Sequence, residues 1–248
     1  IVPAPFLAPR IQAADALVLF SATLNPTDYY IDLLGLPADT QRLDVATPFR
    51  PEQLAVRVVP LSTRRQDRAA SLAPLAQAMG AQYQRAPGNY IAFFSSFDYM
   101  EMAQRAFEQR WPSVPVWAQA RQMDEPSRQA WLQRFDASGQ GIGFAVLGGV
   151  FAEGVDLPGR RLVGAFIATL GLPQFDEVNQ AICDRMEARF GRGHDYTYLL
   201  PGLQKVVQAA GRVIRTDTDT GTVLLMDDRY LQTRYRALLP GWWQVAVA

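Results

Sequence analysis

The chain has 248 residues, 49% of them hydrophobic, and its 24 basic and 24 acidic side chains leave a formal net charge of zero. That is enough apolar material for one large or two small cored domains, and neutrality neither supports nor excludes a local phosphate-binding track. One cysteine, Cys183, excludes an internal disulfide and cannot hold a metal alone, while Lys205 is the single lysine among the basic residues. No apolar run approaches the ~20 residues of a membrane span and no charged-then-apolar leader opens the chain, so a cytoplasmic protein with no membrane partner is expected. The chain begins at Ile1 rather than methionine, which suggests an excised segment of something longer.

Prolines at 3, 5 and 9 make residues 1–14 read as an extended lead-in, and Ala16-Leu-Val-Leu-Phe20 reads as a short apolar strand. Helical spacing runs through Ala69, Leu72, Leu75, Ala76 and Met79. Tyr90 to Phe94 is a strand, Asp98 to Trp111 a helix, Val114 to Trp117 a short strand, and Glu125 to Phe135 a helix entered at Pro126. Gly143–Val150 and Leu162–Ala168 are apolar strands, Gln174–Phe190 is a long helix, and a helix from Pro201 to Arg215 leads by a polar turn into the strand Thr222–Met226. Leu231–Leu238 is expected to close the domain. Alternating strands and helices predict one α/β domain, a mostly parallel sheet with helices on both faces, with a lead-in at 1–15 and the domain proper at 16–248. Such folds place ligands at the carboxyl ends of their strands, where the motifs are expected to sit.

Chemistry concentrates in four places. In Gln208-Ala-Ala-Gly-Arg-Val-Ile-Arg215 a continuous helix, at about 100° per residue, would aim Gln208, Arg212 and Arg215 within a sector of roughly 60°. Guanidinium forks fit phosphate oxygens, and Gly211 clears the approach. Phe151-Ala-Glu-Gly-Val-Asp-Leu-Pro158 is a glycine-spaced acidic turn, carrying Glu153 and Asp156, in which Gly154 leaves room for backbone amides to come close to a ligand. Ser21 and Thr23 are hydroxyls in a turn before Pro26, and Ser95-Ser-Phe97 ends a strand with two hydroxyls and an aromatic suited to phosphates and bases. Arg64, in Leu61-Ser-Thr-Arg-Arg65, is a further candidate phosphate contact.

These motifs, in this order, resemble superfamily two helicases. The third motif is matched by Ser21-Ala-Thr-Leu, with Ala22 where glycine is commoner, the fourth by Ser95–Phe97, the fifth by the acidic turn and the sixth by Gln208–Arg215. Gln208 to Tyr230 resembles the XPD/DinG branch, the Rad3-type, iron-sulfur class of DNA helicase. The resemblance implies the second, C-terminal RecA-like motor domain of an ATP-dependent enzyme that moves 5′ to 3′ on single-stranded DNA. It implies that Arg212, Arg215 and Gln208 serve catalysis, that Glu153, Gly154, Asp156 and Gly211 serve the nucleotide, and that Ser21, Thr23, Ser95, Ser96, Phe97 and Arg64 serve the nucleic acid. ATP and Mg2+ would be held mainly by a first RecA-like motor domain of the same polypeptide, and an iron-sulfur cluster, if the parent has one, would lie outside this chain. This chain alone is therefore expected to hydrolyse no ATP.

Other signals are weaker. Asp227 and Asp228 follow a strand, but no glycine-rich phosphate loop accompanies them, so they read as structural, paired with Arg229 or Arg212. Met123-Asp-Glu-Pro126 reads as a helix start and His194 as a loop residue. Two rival readings are a catalytically inactive nucleic-acid or partner-binding module of the same fold, against which Arg212 and Arg215 argue, and an RNA-acting enzyme, against which the Asp-Asp-Arg-Tyr ending argues.

Overall fold

The computed structural model describes residues 2–151 and 156–248. In chain order the helices are α1 (Ala4–Gln12), α2 (Thr27–Leu34), α3 (Arg68–Arg85), α4 (Phe97–Arg110), α5 (Glu125–Gln133), α6 (Glu177–Phe190), α7 (Leu200–Ala210) and α8 (Thr233–Arg236). The strands are β1 (Leu54–Val58), β2 (Asn89–Phe94), β3 (Val116–Ala118), β4 (Gly141–Val146), β5 (Gly164–Ala168), β6 (Gly221–Leu225) and β7 (Val245–Val247). The chain divides into two compact units, Ile1–Ala46 with Leu172–Gln204, and Thr47–Gly171 with Lys205–Ala248.

The second unit holds the whole seven-stranded sheet, ordered β3-β4-β2-β5-β6-β1-β7, with every neighbouring pair parallel. All six residues of β2 are buried, as a strand covered on both faces requires. On one face Leu75, Met79, Tyr99 and Phe107, from α3 and α4, pack with Tyr90, Phe94, Phe144 and Phe166. Tyr90 stacks on Phe166 at 4.9 Å between ring centres, and Phe94 on Phe144 at 5.7 Å. Each such side chain contributes about 1.5–3 kcal/mol by leaving water. On the other face, Trp131 of α5 and Phe135 just beyond it close over Gly143, where a Cβ would stand 2.7 Å from the Phe135 ring.

Caps fix where the helices begin. Ser96 accepts from the Tyr99 amide at 3.3 Å to start α4, and Asp124 accepts from Ser127 at 3.0 Å to start α5. In the first unit, Asp176 starts α6 through the Asn179 amide at 2.8 Å, and Gly191, at φ +66°, ends it in the left-handed region that favours glycine. The same unit buries Tyr29 edge-on against Tyr30 and Tyr196, each at 5.0 Å, with the Tyr196 hydroxyl donating to Asp32 at 2.5 Å. Burial pushes the phenols of Tyr29 and Tyr196 up to about 12, the latter helped by Asp32.

Several sequence expectations are corrected. The lead-in is not extended but helical over Ala4–Gln12, because Pro3 and Pro5 lie at the start of α1, where no intrahelical N–H is needed. Ala16–Phe20 joins no strand of the described sheet, and Val18 and Phe20 are 81% and 90% exposed. The strand expected to run to Val150 stops at Val146, and the helix expected to reach Arg215 stops at Ala210. Three elements escaped the sequence reading. In β1 a charged residue, Arg57, interrupts the apolar run at a half-buried position, β7 has three residues, and α2 lies in what reads as a loop after Pro26.

Candidate functional site

Because the strands are parallel, one edge of the sheet gathers all their carboxyl ends. There β2 passes into Ser95, Ser96 and Phe97, each half-buried. Arg68, in the first turn of α3, donates from Nη2 to Ser95 Oγ at 2.8 Å and from Nη1 to Ser96 Oγ at 3.4 Å, while its guanidinium lies 5.0 Å over the Tyr99 ring. Phe97 packs its ring against the core and carries the Arg121 guanidinium at 5.2 Å.

Arg64 is engaged at the same edge. Its Nη1 reaches both oxygens of Asp228 at 2.8 and 2.9 Å and Ser62 Oγ at 3.0 Å. Beside it Asp227, fully buried, accepts from Arg229 Nε and Nη2, both at 2.8 Å, from the Arg229 amide at 3.0 Å, and from the Thr63 hydroxyl. Burial opposes the charge on Asp227, but the Arg229 and Thr63 hydrogen bonds outweigh it and hold the carboxyl below the usual range. The structural reading of both aspartates therefore agrees with the geometry, with Asp227 on Arg229 and Asp228 on Arg64.

The sixth-motif residues lie elsewhere. Gln53, immediately before β1, donates to the carbonyl oxygens of Asp217 and Asp219 at 3.0 and 2.8 Å, which places the Arg215–Asp219 turn at the amino edge of the sheet. Asp219 accepts from the Arg215 and Thr216 amides at 2.8 and 2.9 Å. Arg161, between the acidic turn and β5, donates to Phe135 O at 2.9 Å just before β4, also at the amino edge. The expectation that all motifs sit at carboxyl ends is thus corrected: between parallel strands the chain must return to the amino edge before the next strand begins.

The shared helical face of Gln208, Arg212 and Arg215 is corrected as well. Beyond Ala210 the amides of Arg212 and Val213 turn back to Ala209 and Ala210 at 3.4 and 3.1 Å, a tightening that ends the helix at exposed Gly211. A Cβ at Gly211 would press to 3.2 Å from Val207 O, so glycine relieves the tightened turn. Gln208 and Arg215 are exposed, whereas Arg212 is buried at 5% exposure. Arg215 Nε lies 3.4 Å from Asp156 Oδ1, joining the sixth-motif segment to the acidic turn. Glu153 and Gly154 lie outside the described residues.

Ser21 and Thr23 belong to the first unit. Their hydroxyls lie 3.2 Å apart, Gln204 Nε2 donates to Thr23 Oγ1 at 3.3 Å, and the Tyr30 hydroxyl fixes the Thr23 carbonyl at 2.7 Å. The sequence reading missed Arg68; its signal was a third arginine four residues after Arg64. Among the described residues no cluster of three or more His, Cys, Asp or Glu side chains is placed to hold a metal, and no helix is long and apolar enough to cross a membrane.

Residues 80–246 match the helicase C-terminal domain family. The ATP-dependent helicase DinG of Mycobacterium tuberculosis (strain H37Rv) is 30% identical over 99% of this chain and 38% of its own length. The ATP-dependent DNA helicase DinG of Photobacterium profundum is 29% identical over 92% of this chain and 34% of its own. This chain therefore spans little more than a third of these relatives. An XPD helicase structure superposes with a TM-score of 0.72 at 18% identity, over 94% of this chain and 42% of that one, which shows the RecA-like fold.

Proposed function

The chain belongs to the helicase C-terminal domain family, and from that premise we propose that it is the second RecA-like motor domain of an ATP-dependent, 5′ to 3′ DNA helicase of the DinG and XPD type. It works in the cytoplasm, with a first motor domain of the same polypeptide that binds ATP and Mg2+; an iron-sulfur cluster, where the parent has one, belongs to that partner as well. The observation that carries this reading is Arg215, an exposed guanidinium whose ion pair with Asp156 is 3.4 Å long and open to water. Exposed pairs are worth about 0–1 kcal/mol, so a polyphosphate readily displaces the carboxylate.

ATP, when bound, supplies a γ-phosphoryl group whose oxygens gather negative charge during transfer. The residues of this chain fit that group. Arg215 meets the charge, Asp156 holds the fork in place until the nucleotide arrives, and Asp219 anchors the turn through the Arg215 and Thr216 amides. Arg212, being buried, acts by keeping the turn in position. The carboxyl edge, with Ser95, Ser96 and Phe97, takes single-stranded DNA, and in the first unit Ser21 and Thr23 offer hydroxyls suited to the same ligand. Nucleotide and nucleic-acid contacts thus occupy opposite edges of one sheet, so a rigid domain can couple them.

The test is ATP turnover by the 248-residue chain with and without the first motor domain. Turnover is expected only from the pair. Arg215-dependent hydrolysis by this chain alone, with contaminants excluded, would contradict the reading and favour a self-sufficient enzyme.

A further inference from the structure

Arg215-Thr-Asp-Thr-Asp-Thr220 is polar throughout, yet within it Asp219 alone is buried, at 7% exposure. A buried carboxylate is a cost to the fold unless donors meet it. Here they do. Its Oδ2 accepts from the Arg215 and Thr216 amides at 2.8 and 2.9 Å, and its Oδ1 from the Thr216 hydroxyl at 2.7 Å. The Gly159 amide donates to the same carboxylate. Burial opposes the charge, but these donors outweigh it and hold the carboxyl below the usual range.

The donors come from two separate motifs. Arg215 closes the sixth-motif segment, whereas Gly159 lies three residues past Asp156 and holds the left-handed backbone, φ +63°, that favours glycine. Gln53 braces the turn from a third segment through the carbonyl oxygens of Asp217 and Asp219. The backbone of Arg215 is thus fixed by a buried anion, while its guanidinium carries a long, solvated pair with Asp156 at 3.4 Å. A flexible side chain reaches one spot reproducibly only when its own backbone is held, and that holding comes from Asp219.

We propose that Asp219 is a positioning residue for phosphoryl transfer: it joins the arginine turn to the segment Asp156–Gly159, so that Arg215 is presented where negative charge develops. This role rests on the reading of Arg215 as the cation that meets the γ-phosphoryl group, and it adds what keeps that cation in register with the acidic turn.

The test is DNA-stimulated ATPase of the polypeptide carrying both motor domains, with Asp219 and Arg215 replaced singly and together. Asp219→Ala is expected to lower kcat by about a hundredfold, as misplacement of a reacting group does, with KM for ATP near the parent value. In the Arg215→Ala background the same change should alter kcat by less than about twofold, because a residue that acts through Arg215 has nothing left to position. A general loss of structure would multiply instead. Parental kcat in Asp219→Ala, a loss carried by KM, or a double variant about a hundredfold slower than Arg215→Ala would each overturn the assignment. Should Asp219→Ala melt early, Asp219→Asn decides, since one amide oxygen then faces backbone donors from Arg215, Thr216 and Gly159. A kcat about tenfold lower, with no such loss in the Arg215→Ala background, supports the role; parental kcat, or an equal loss in both backgrounds, removes it. If Arg215→Ala itself turns over like the parent, the reading of Arg215 falls and takes Asp219 with it. If Arg215→Ala is slow and both Asp219 variants are parental, the role of Asp219 falls alone.

Discussion

Arg215 Nε stands 3.4 Å from Asp156 Oδ1 with 40% and 74% of the two side chains exposed, while Arg212, three residues earlier, is 5% exposed. Two arginines that look equivalent in the sequence thus have different physical circumstances. Replacing Arg215 by alanine removes a solvated side chain, and the melting temperature should stay near that of the parent, the change in stability being about 0.5 kcal/mol. Replacing Arg212 removes buried packing and should cost about 1–3 kcal/mol. Thermal denaturation of both variants checks this, and equal melting temperatures would contradict the assigned burial.

How much of this was legible in the sequence depends on the range of the interaction. Asn89-Tyr-Ile-Ala-Phe-Phe94 announces a buried central strand by local composition, and Ser96 and Asp124 announce helix starts by a side chain a few residues from its target. The face shared by Arg212 and Arg215 failed because a helical wheel assumes a helix, and the helix ends at Gly211. The pairing of Arg64 with Asp228 was hidden for another reason: those residues lie far apart in sequence and meet only when β1 and β6 pair. Arg68 was overlooked because nothing local shows that Arg64 meets a carboxylate while, among the described residues, none lies within ion-pair distance of Arg68.

Asp227 sets an acid limit on the fold. Its carboxyl titrates below the usual range in the folded state, so the stabilisation it gives is complete above the unfolded value, about 3.9, and is lost as pH falls through the lower folded value. Asp227→Asn should flatten the dependence of stability on pH in that acid range. At neutral pH, Asp227→Ala leaves Arg229 and the Thr63 hydroxyl without their partner and should cost about 3 kcal/mol. Denaturant melts at neutral and acid pH measure both; an acid limb unchanged in Asp227→Asn would contradict the role given to this carboxylate.

Gly80, in the middle of α3, is a packing requirement. A Cβ there would stand 2.0 Å from Trp111 Cε2, and the ring is tethered by its Nε1 donating to Ala76 O at 2.9 Å. Although alanine is the better helix former, Gly80→Ala should destabilise the protein by about 1–3 kcal/mol through overpacking. Stabilisation on calorimetry would show that the ring moves freely.

The central claim is that this chain lends a cation to ATP bound by another domain, and DNA-stimulated ATPase of the polypeptide carrying both motor domains measures it most directly. Arg215→Ala is expected to lower turnover by about a thousandfold or more, as loss of a finger arginine does in related phosphoryl-transfer machines. Its melting temperature and its nucleotide-free binding of single-stranded DNA should stay those of the parent. An Arg215→Ala enzyme that folds normally and keeps DNA-stimulated turnover near the parent value would contradict the account.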